Sequence, residues 1–202
     1  MKKTTIGFAL TGSFCTFDAV LAQMEALVKR DYDVLPILSY HAAQLDTRFM
    51  SAKQLHERIK AITGNDPIET LQDAEPIGPK KMTDLYMIAP ATGNSLAKLT
   101  NGIFDTPALL GAKSHLRNDR PLVLAVSTND ALSSAAQNIG RLLMWRNVYM
   151  VPFRQDHALK KPRSLVADFT LIPQTIASAL CGIQLQPITG NPQGLGNEAL
   201  KK

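Results

Sequence analysis

The sequence predicts an α/β fold: a three-layer, Rossmann-like or flavodoxin-like open sheet, mostly parallel, with helices on both faces. Two observations predict it. Five short apolar runs alternate with segments of helical period along the chain, the pattern of strands joined by crossover helices. Four of those runs end in small hydroxyl or amide residues rather than in charges. Ligands of open parallel sheets bind outside the carboxyl ends of the strands.

The elements follow in order. Residues 5–10 (TIGFAL) read as the first strand, closed by Thr11-Gly12-Ser13. Residues 19–29 carry Val20, Leu21, Met24, Leu27 and Val28 at helical spacing. Residues 33–39 (DVLPILS) form the second strand, and Pro36 assigns it to an edge or a bend. A helix over 51–63 stops at Gly64-Asn65-Asp66-Pro67. The third strand, 85–89 (LYMIA), is expected to stop at Pro90. A short helix over 94–101 is closed by Gly102, and Thr106-Pro107 opens another with proline in the first turn. Residues 121–127 (PLVLAVS) are the fourth strand, 132–146 its helix, 148–153 the fifth strand, and 173–185 the last helix. Residues 1–188 are read as one domain, and 189–202, with its glycine turns and terminal Lys201-Lys202, as a mobile tail.

Composition narrows the function classes. The chain has 202 residues, 45% hydrophobic and 19% charged, which argues against disorder. Its 22 Lys and Arg against 17 Asp and Glu leave +5, a surplus too small to indicate nucleic acid. No apolar run is long enough for a membrane span, and no signal peptide is read at the N-terminus. A cytoplasmic protein is expected, with no nucleic-acid or membrane partner. Cys15 and Cys181 stand far apart, so no metal or redox motif is expected. Cys15 is read as a structural, buried cysteine.

The strand ends carry the candidate site. Gly12 and Ser13 suit a phosphate at a helix start, but lack the three-glycine dinucleotide fingerprint, which points to a mononucleotide. Ser39 is a better candidate than His41, which is read as a solvated loop residue. After strand three come Thr92, Gly93, Asn94 and Ser95, where small residues let a ligand approach the backbone. Asn94 or Ser95 also suits a helix cap. Ser127, Thr128 and Asn129 end strand four. His56 is read as solvated, and His115 as a cation favoured near a helix end. No catalytic set stands out: there is no His-x-x-x-His, Cys-x-x-Cys or Gly-x-Ser-x-Gly.

At these residues a family becomes recognisable. Ala89-Pro90-Ala91-Thr92-Gly93-Asn94-Ser95-Leu96-Ala97-Lys98 resembles the Pro-Ala-Ser/Thr-Ala-Asn-Thr-x-Ala-Lys motif of the homo-oligomeric flavin-containing cysteine decarboxylases. Gly12-Ser13 fits that family's first FMN-binding turn. Ser127-Thr128-Asn129 falls where the family has Pro-x-Met-Asn, with only Asn129 retained. The resemblance covers about residues 6–188 and is strongest to a dipicolinate-forming branch, through Gly78-Pro79-Lys80, 116–121 and 151–156. It implies a flavoprotein fold, homo-oligomers and FMN. Gly12, Ser13 and Ser39 would hold the phosphate and ribityl side, Thr92, Gly93 and Asn94 the flavin, and Ser127 and Asn129 the pocket border.

The branch implies oxidation of a dihydrodipicolinate-type heterocycle in the mother cell of a spore-forming bacterium. The nicotinamide cofactor would belong to a partner, the A subunit of the same enzyme. The small dicarboxylate substrate would be drawn to basic side chains, for which Arg117, Arg120, Lys160, Lys161 and Arg163 are candidates. The family's catalytic histidine corresponds to positions near Glu75-Pro76-Ile77, which hold none. The alternatives are a non-catalytic assembly partner and a flavin-dependent decarboxylase-like or prenyltransferase-like enzyme.

Overall fold

The computed structural model describes residues 3–190. The strands are β1 (Thr5–Leu10), β2 (Asp33–Leu38), β3 (Leu85–Ala91), β4 (Leu122–Thr128), β5 (Val148–Met150), β6 (Phe153–His157) and β7 (Lys161–Ala167). The α-helices are α1 (Phe17–Lys29), α2 (Tyr40–Gln44), α3 (Ala52–Thr63), α4 (Leu71–Ala74), α5 (Gly93–Thr100), α6 (Pro107–Leu116), α7 (Ala136–Leu143) and α8 (Ile172–Leu180). All seven strands share one sheet, ordered β2-β1-β3-β4-β7-β6, with β5 also paired to β4. The parallel part therefore runs β2-β1-β3-β4-β5, the doubly wound order in which the chain reverses direction between β1 and β3.

Alternating strand residues feed two cores. Met87 and Ala89 face one layer, with Leu21 and Met24 of α1, Leu55 and Ile59 of α3, and Ile172 and Ile176 of α8. Tyr86 and Ile88 face the other, with Leu96 of α5, Leu109 of α6, and Ile139 and Leu142 of α7. This is the three-layer arrangement the alternating pattern implies. Tyr86 fills its layer closely: its hydroxyl donates to Ala108 O at 2.9 Å. A Cβ at Gly7 or Gly111 would lie 2.6 or 2.5 Å from its atoms, so both neighbours are glycine. Helix ends obey their local chemistry. Ser51 and Gln54 form a reciprocal capping box on α3, and Gly64 closes that helix at φ 75°.

The structure corrects several boundaries. Pro90 does not stop β3, which runs on to Ala91. The proline falls where the β3–β4 register shifts, so its missing N–H leaves no gap in the ladder, and Pro90 O accepts from Thr11 Oγ1 at 2.6 Å. The expected strand over 148–153 is two strands: β5 ends at Met150, and Phe153 opens an antiparallel hairpin of β6 and β7. β7 then pairs with the last residues of β4, Ser127↔Val166 and Thr128↔Leu165. The helix expected from 132 starts at Ala136, because Asp130 to Ser133 turn and Leu132 N bonds Arg163 O of the hairpin. The last helix ends at Leu180, five residues short of the expectation, as Gly182 takes φ 75°. Short α2 occupies a stretch that the sequence assigns to loop. Of the tail expected from 189, Thr189 and Gly190 pair with Phe153, and 191–202 lie outside the described residues.

Candidate functional site

The carboxyl ends of β1, β2, β3 and β4 open onto two adjoining chambers that share Gly12 and Thr92. The first, about 680 Å³, is bounded by Ser39 and His41 after β2, Thr92, Asn94 and Lys98 of the β3–α5 unit, and Asp105 before α6. The second, about 560 Å³, is bounded by Ser13, Cys15, Ser127, Asn129 and Asp130, and by Lys161 of the hairpin. Both volumes fall in the ordinary range of ligand and cofactor sites, about 300–1,000 Å³.

Seven of the eight sequence-derived site residues line these chambers: Gly12, Ser13, Ser39, Thr92, Asn94, Ser127 and Asn129. Ser13 Oγ and Ser127 Oγ lie 3.0 Å apart, so two hydroxyls from non-adjacent strands converge on one point. Ser39 caps α2 through Ala42 N at 3.4 Å. The nearest atoms to a Cβ on Gly12 would belong to Phe14 and His41, at 3.7 Å or more, so the turn leaves room for a ligand. Hydroxyls, amides and free backbone make a cradle suited to a phosphate and a polyol.

The eighth residue, Gly93, is packed rather than lining. A Cβ there would lie 2.8 Å from both Asp130 Oδ1 and Thr128 Oγ1. Thr128 and Ser134 both donate to the Asp130 carboxylate. These hydroxyls, Ser134 first, hold the acid below its ordinary pKa against the opposing effect of burial. The carboxylate thus lies against the first residue of α5, where the helix dipole favours an anion. Thr128 and Asp130 occupy the space a side chain at position 93 would take, which suits glycine there.

Other expectations shift. Neither Asn94 nor Ser95 is the cap of α5. Thr92 is, accepting from Ser95 N at 3.2 Å. Asn94 stands exposed on the first turn, and among the described residues its amide has no hydrogen-bond partner. Cys15 is exposed in the second chamber, not buried, because it belongs to a short 3₁₀ turn with no buried residue. His41 borders the first chamber from α2, the helix the sequence reading missed. His56 joins α3 to the following loop through Ala52 O and Glu69. His115 is 1% exposed and neutral, the opposite of a helix-end cation. Residues 75–77 form a 3₁₀ turn whose neighbour Gly78 packs on Ser114, at the C-terminal end of α6 and away from the cleft.

The five basic candidates separate cleanly. Arg120 is tied to Lys81 O, Thr83 O and Asp84 at the amino-terminal edge of the sheet. Arg117 caps α6 at that same edge. Lys160 sits in the hairpin turn, its N–H on His157 Nδ1 at 3.2 Å. Only Lys161 and Arg163 border the cleft, in a concavity of about 320 Å³ that continues the second chamber past Asn129 and Ser164.

Comparison with known proteins agrees with this geometry. The flavoprotein family model matches residues 1–177. The chain belongs to the flavoprotein family. It is 45% identical to the B subunit of dipicolinate synthase of Bacillus subtilis (strain 168) over 188 residues, 93% of this chain and 94% of that protein. The crystal structure of the B subunit of dipicolinate synthase from Bacillus halodurans C is 43% identical, covers 94% of this chain and 97% of its own, and superposes with a TM-score of 0.86. An FMN-dependent cysteine decarboxylase, SpaF, shares the fold at 21% identity and a TM-score of 0.62, over 89% of this chain and 96% of its own. The family supports a flavin as cofactor. Among the described residues, no helix is long and apolar enough to cross a membrane.

Proposed function

We propose that this chain is the B subunit of a dipicolinate synthase, holding FMN in the strand-end cleft while the A subunit carries the nicotinamide cofactor. In this reading the two subunits together oxidise a dihydrodipicolinate-type precursor to dipicolinate during sporulation, in the mother-cell cytoplasm. The chain itself is a homo-oligomer. The observation that carries the flavin part is the convergence of Ser13 and Ser127 at 3.0 Å beside an open Gly12. Four strand ends supply uncharged donors there, which suits a phosphate and ribityl chain better than an extended dinucleotide. Strand one ends in a single glycine, so the nicotinamide falls to the partner.

FMN, once bound, supplies a two-electron carrier able to accept and return hydride. The protein's residues bind and orient. Gly12, Ser13, Ser39 and Ser127 hold the phosphate end, while Thr92 and Asn94 face the flavin from α5. The ionised Asp130 offers a fixed acceptor at the edge of the second chamber. The hydroxyls of Ser134 and Thr128 lower its pKa, which weakens it as a base.

The test is to assay synthase activity of each subunit alone and mixed, with and without FMN. Full activity only with both subunits and FMN is the expected result. A colourless protein that takes up no added FMN, yet still raises the A subunit's activity, would instead make this chain an assembly partner.

Asn94 gives a finer test. Its exposed amide is free and its neighbour Thr92 already caps the helix, so Asn94→Ser should leave the melting temperature unchanged. Serine's hydroxyl is too short to replace a donor–acceptor amide. FMN affinity should fall roughly tenfold, the loss of one good hydrogen bond. Equal affinities measured by flavin titration would remove Asn94 from the site.

A further inference from the structure

The geometry points to Arg163, assisted by Lys161, as the anchor for a carboxylate of the ligand that enters the second chamber. This inference rests on the dipicolinate reading above and names the side chains that would recognise the acid.

Three observations carry it. The first is position. Lys161 and Arg163 of β7 line one concavity with Asn129 and Ser164, in a stretch where the strand's register against β6 shifts. β7 is pinned beside the end of β4 by Ser127↔Val166 and Thr128↔Leu165, which brings this stretch beside Asn129. The second is pairing. Lys161 spends its charge on Asp156, with Nζ 2.5 Å from the carboxylate. Arg163 has no hydrogen bond or ion pair from its guanidinium among the described residues, yet it borders the concavity that extends the second chamber. Its backbone is held, since its carbonyl accepts from Leu132 N at 3.0 Å. An anchored backbone with an unspent planar fork is the arrangement that recognises a carboxylate through two parallel bonds.

The third observation is the charge gradient. The inner wall of the second chamber carries the ionised Asp130 against α5. The outer wall carries the Lys161–Asp156 ion pair and, beyond it, Arg163, whose charge no acid offsets among the described residues. An anionic group is repelled from the first and drawn to the second. A ring acid would therefore lie with a carboxylate toward the hairpin. Asn129 and Ser164, 3.5 Å apart between Oδ1 and Oγ, stand between the two walls and can bond the ring's polar edge.

The experiment is calorimetric titration of the full chain with dipicolinate, with and without FMN, using pyridine as the uncharged control. Arg163→Gln and Lys161→Gln are compared with wild type, and FMN affinity is measured separately for each. Wild type should bind dipicolinate and not pyridine. Arg163→Gln should weaken dipicolinate about tenfold or more, Lys161→Gln less, and both should leave FMN affinity unchanged. Unchanged dipicolinate affinity in Arg163→Gln overturns the anchor, as does a wild type that binds FMN but no dipicolinate. A protein that takes up no FMN but loses dipicolinate at Arg163→Gln keeps the anchor and overturns the flavin reading instead.

Discussion

Replacing Ser13 by aspartate should abolish FMN binding, with a loss of a hundredfold or more. Ser13 Oγ lies 3.0 Å from Ser127 Oγ, at the point where the ends of β1 and β4 converge. A carboxylate there would face the phosphate of the cofactor, and like charges brought together in a partly enclosed site cost several kcal/mol. A hundredfold is about 2.7 kcal/mol, within that range. Ser13→Ala removes one hydrogen bond to the phosphate without adding a repelling charge, and should cost about tenfold, less than the aspartate. The ordering of the two variants is the test. Ser13 caps no helix through its side chain, so neither change should lower the melting temperature appreciably. Flavin titration that finds Ser13→Asp as tight as wild type would move the phosphate elsewhere in the cleft.

Much of this site was legible because parallel strands announce themselves twice. The runs at β1, β3 and β4 are wholly or almost wholly buried, so they read as continuous apolar segments. Each closes in residues that are small and polar because the cleft, not the core, begins there. The β6–β7 hairpin had no such signature. Its buried residues are Phe153, Ser164, Leu165 and Ala167, separated by a charged stretch exposed at the edge of the sheet. The sequence reading assigns no element to Arg154 through Arg163 for that reason. Missing the hairpin also hid Lys161 and Arg163 among five equal candidates. His41 escaped because five residues of α2 are too few to show a helical period. Asp130 escaped because its meaning depends on Gly93, thirty-seven positions earlier, which no local pattern connects.

The other large effect concerns acid. Wild type should lose about 3 kcal/mol of stability as pH falls from 6.5 to 4, and His115→Gln should lose far less over the same window. His115 is 1% exposed, between the starts of β3 and β4. Its Nε2–H donates to Pro121 O at 3.0 Å, and its Nδ1 accepts from Thr83 Oγ1 at 2.8 Å. Burial lowers its pKa from 6.5 to about 4, with a smaller contribution from Arg120; the Pro121 bond and Asp84 oppose the shift. The unfolded chain therefore takes a proton near pH 6.5, while the folded chain does not until about pH 4. Between those values the unfolded state binds more protons, so falling pH favours unfolding. Each unit of difference is worth about 1.4 kcal/mol, which sets the size of the loss. The carboxylates held below their ordinary pKa, Asp130 and Asp168, start from 3.8 and add their losses below this window. Urea unfolding of wild type and His115→Gln at pH 7 and pH 4.5 separates the cases. Equal stability of wild type at both values would show that His115 titrates freely, as a surface histidine does.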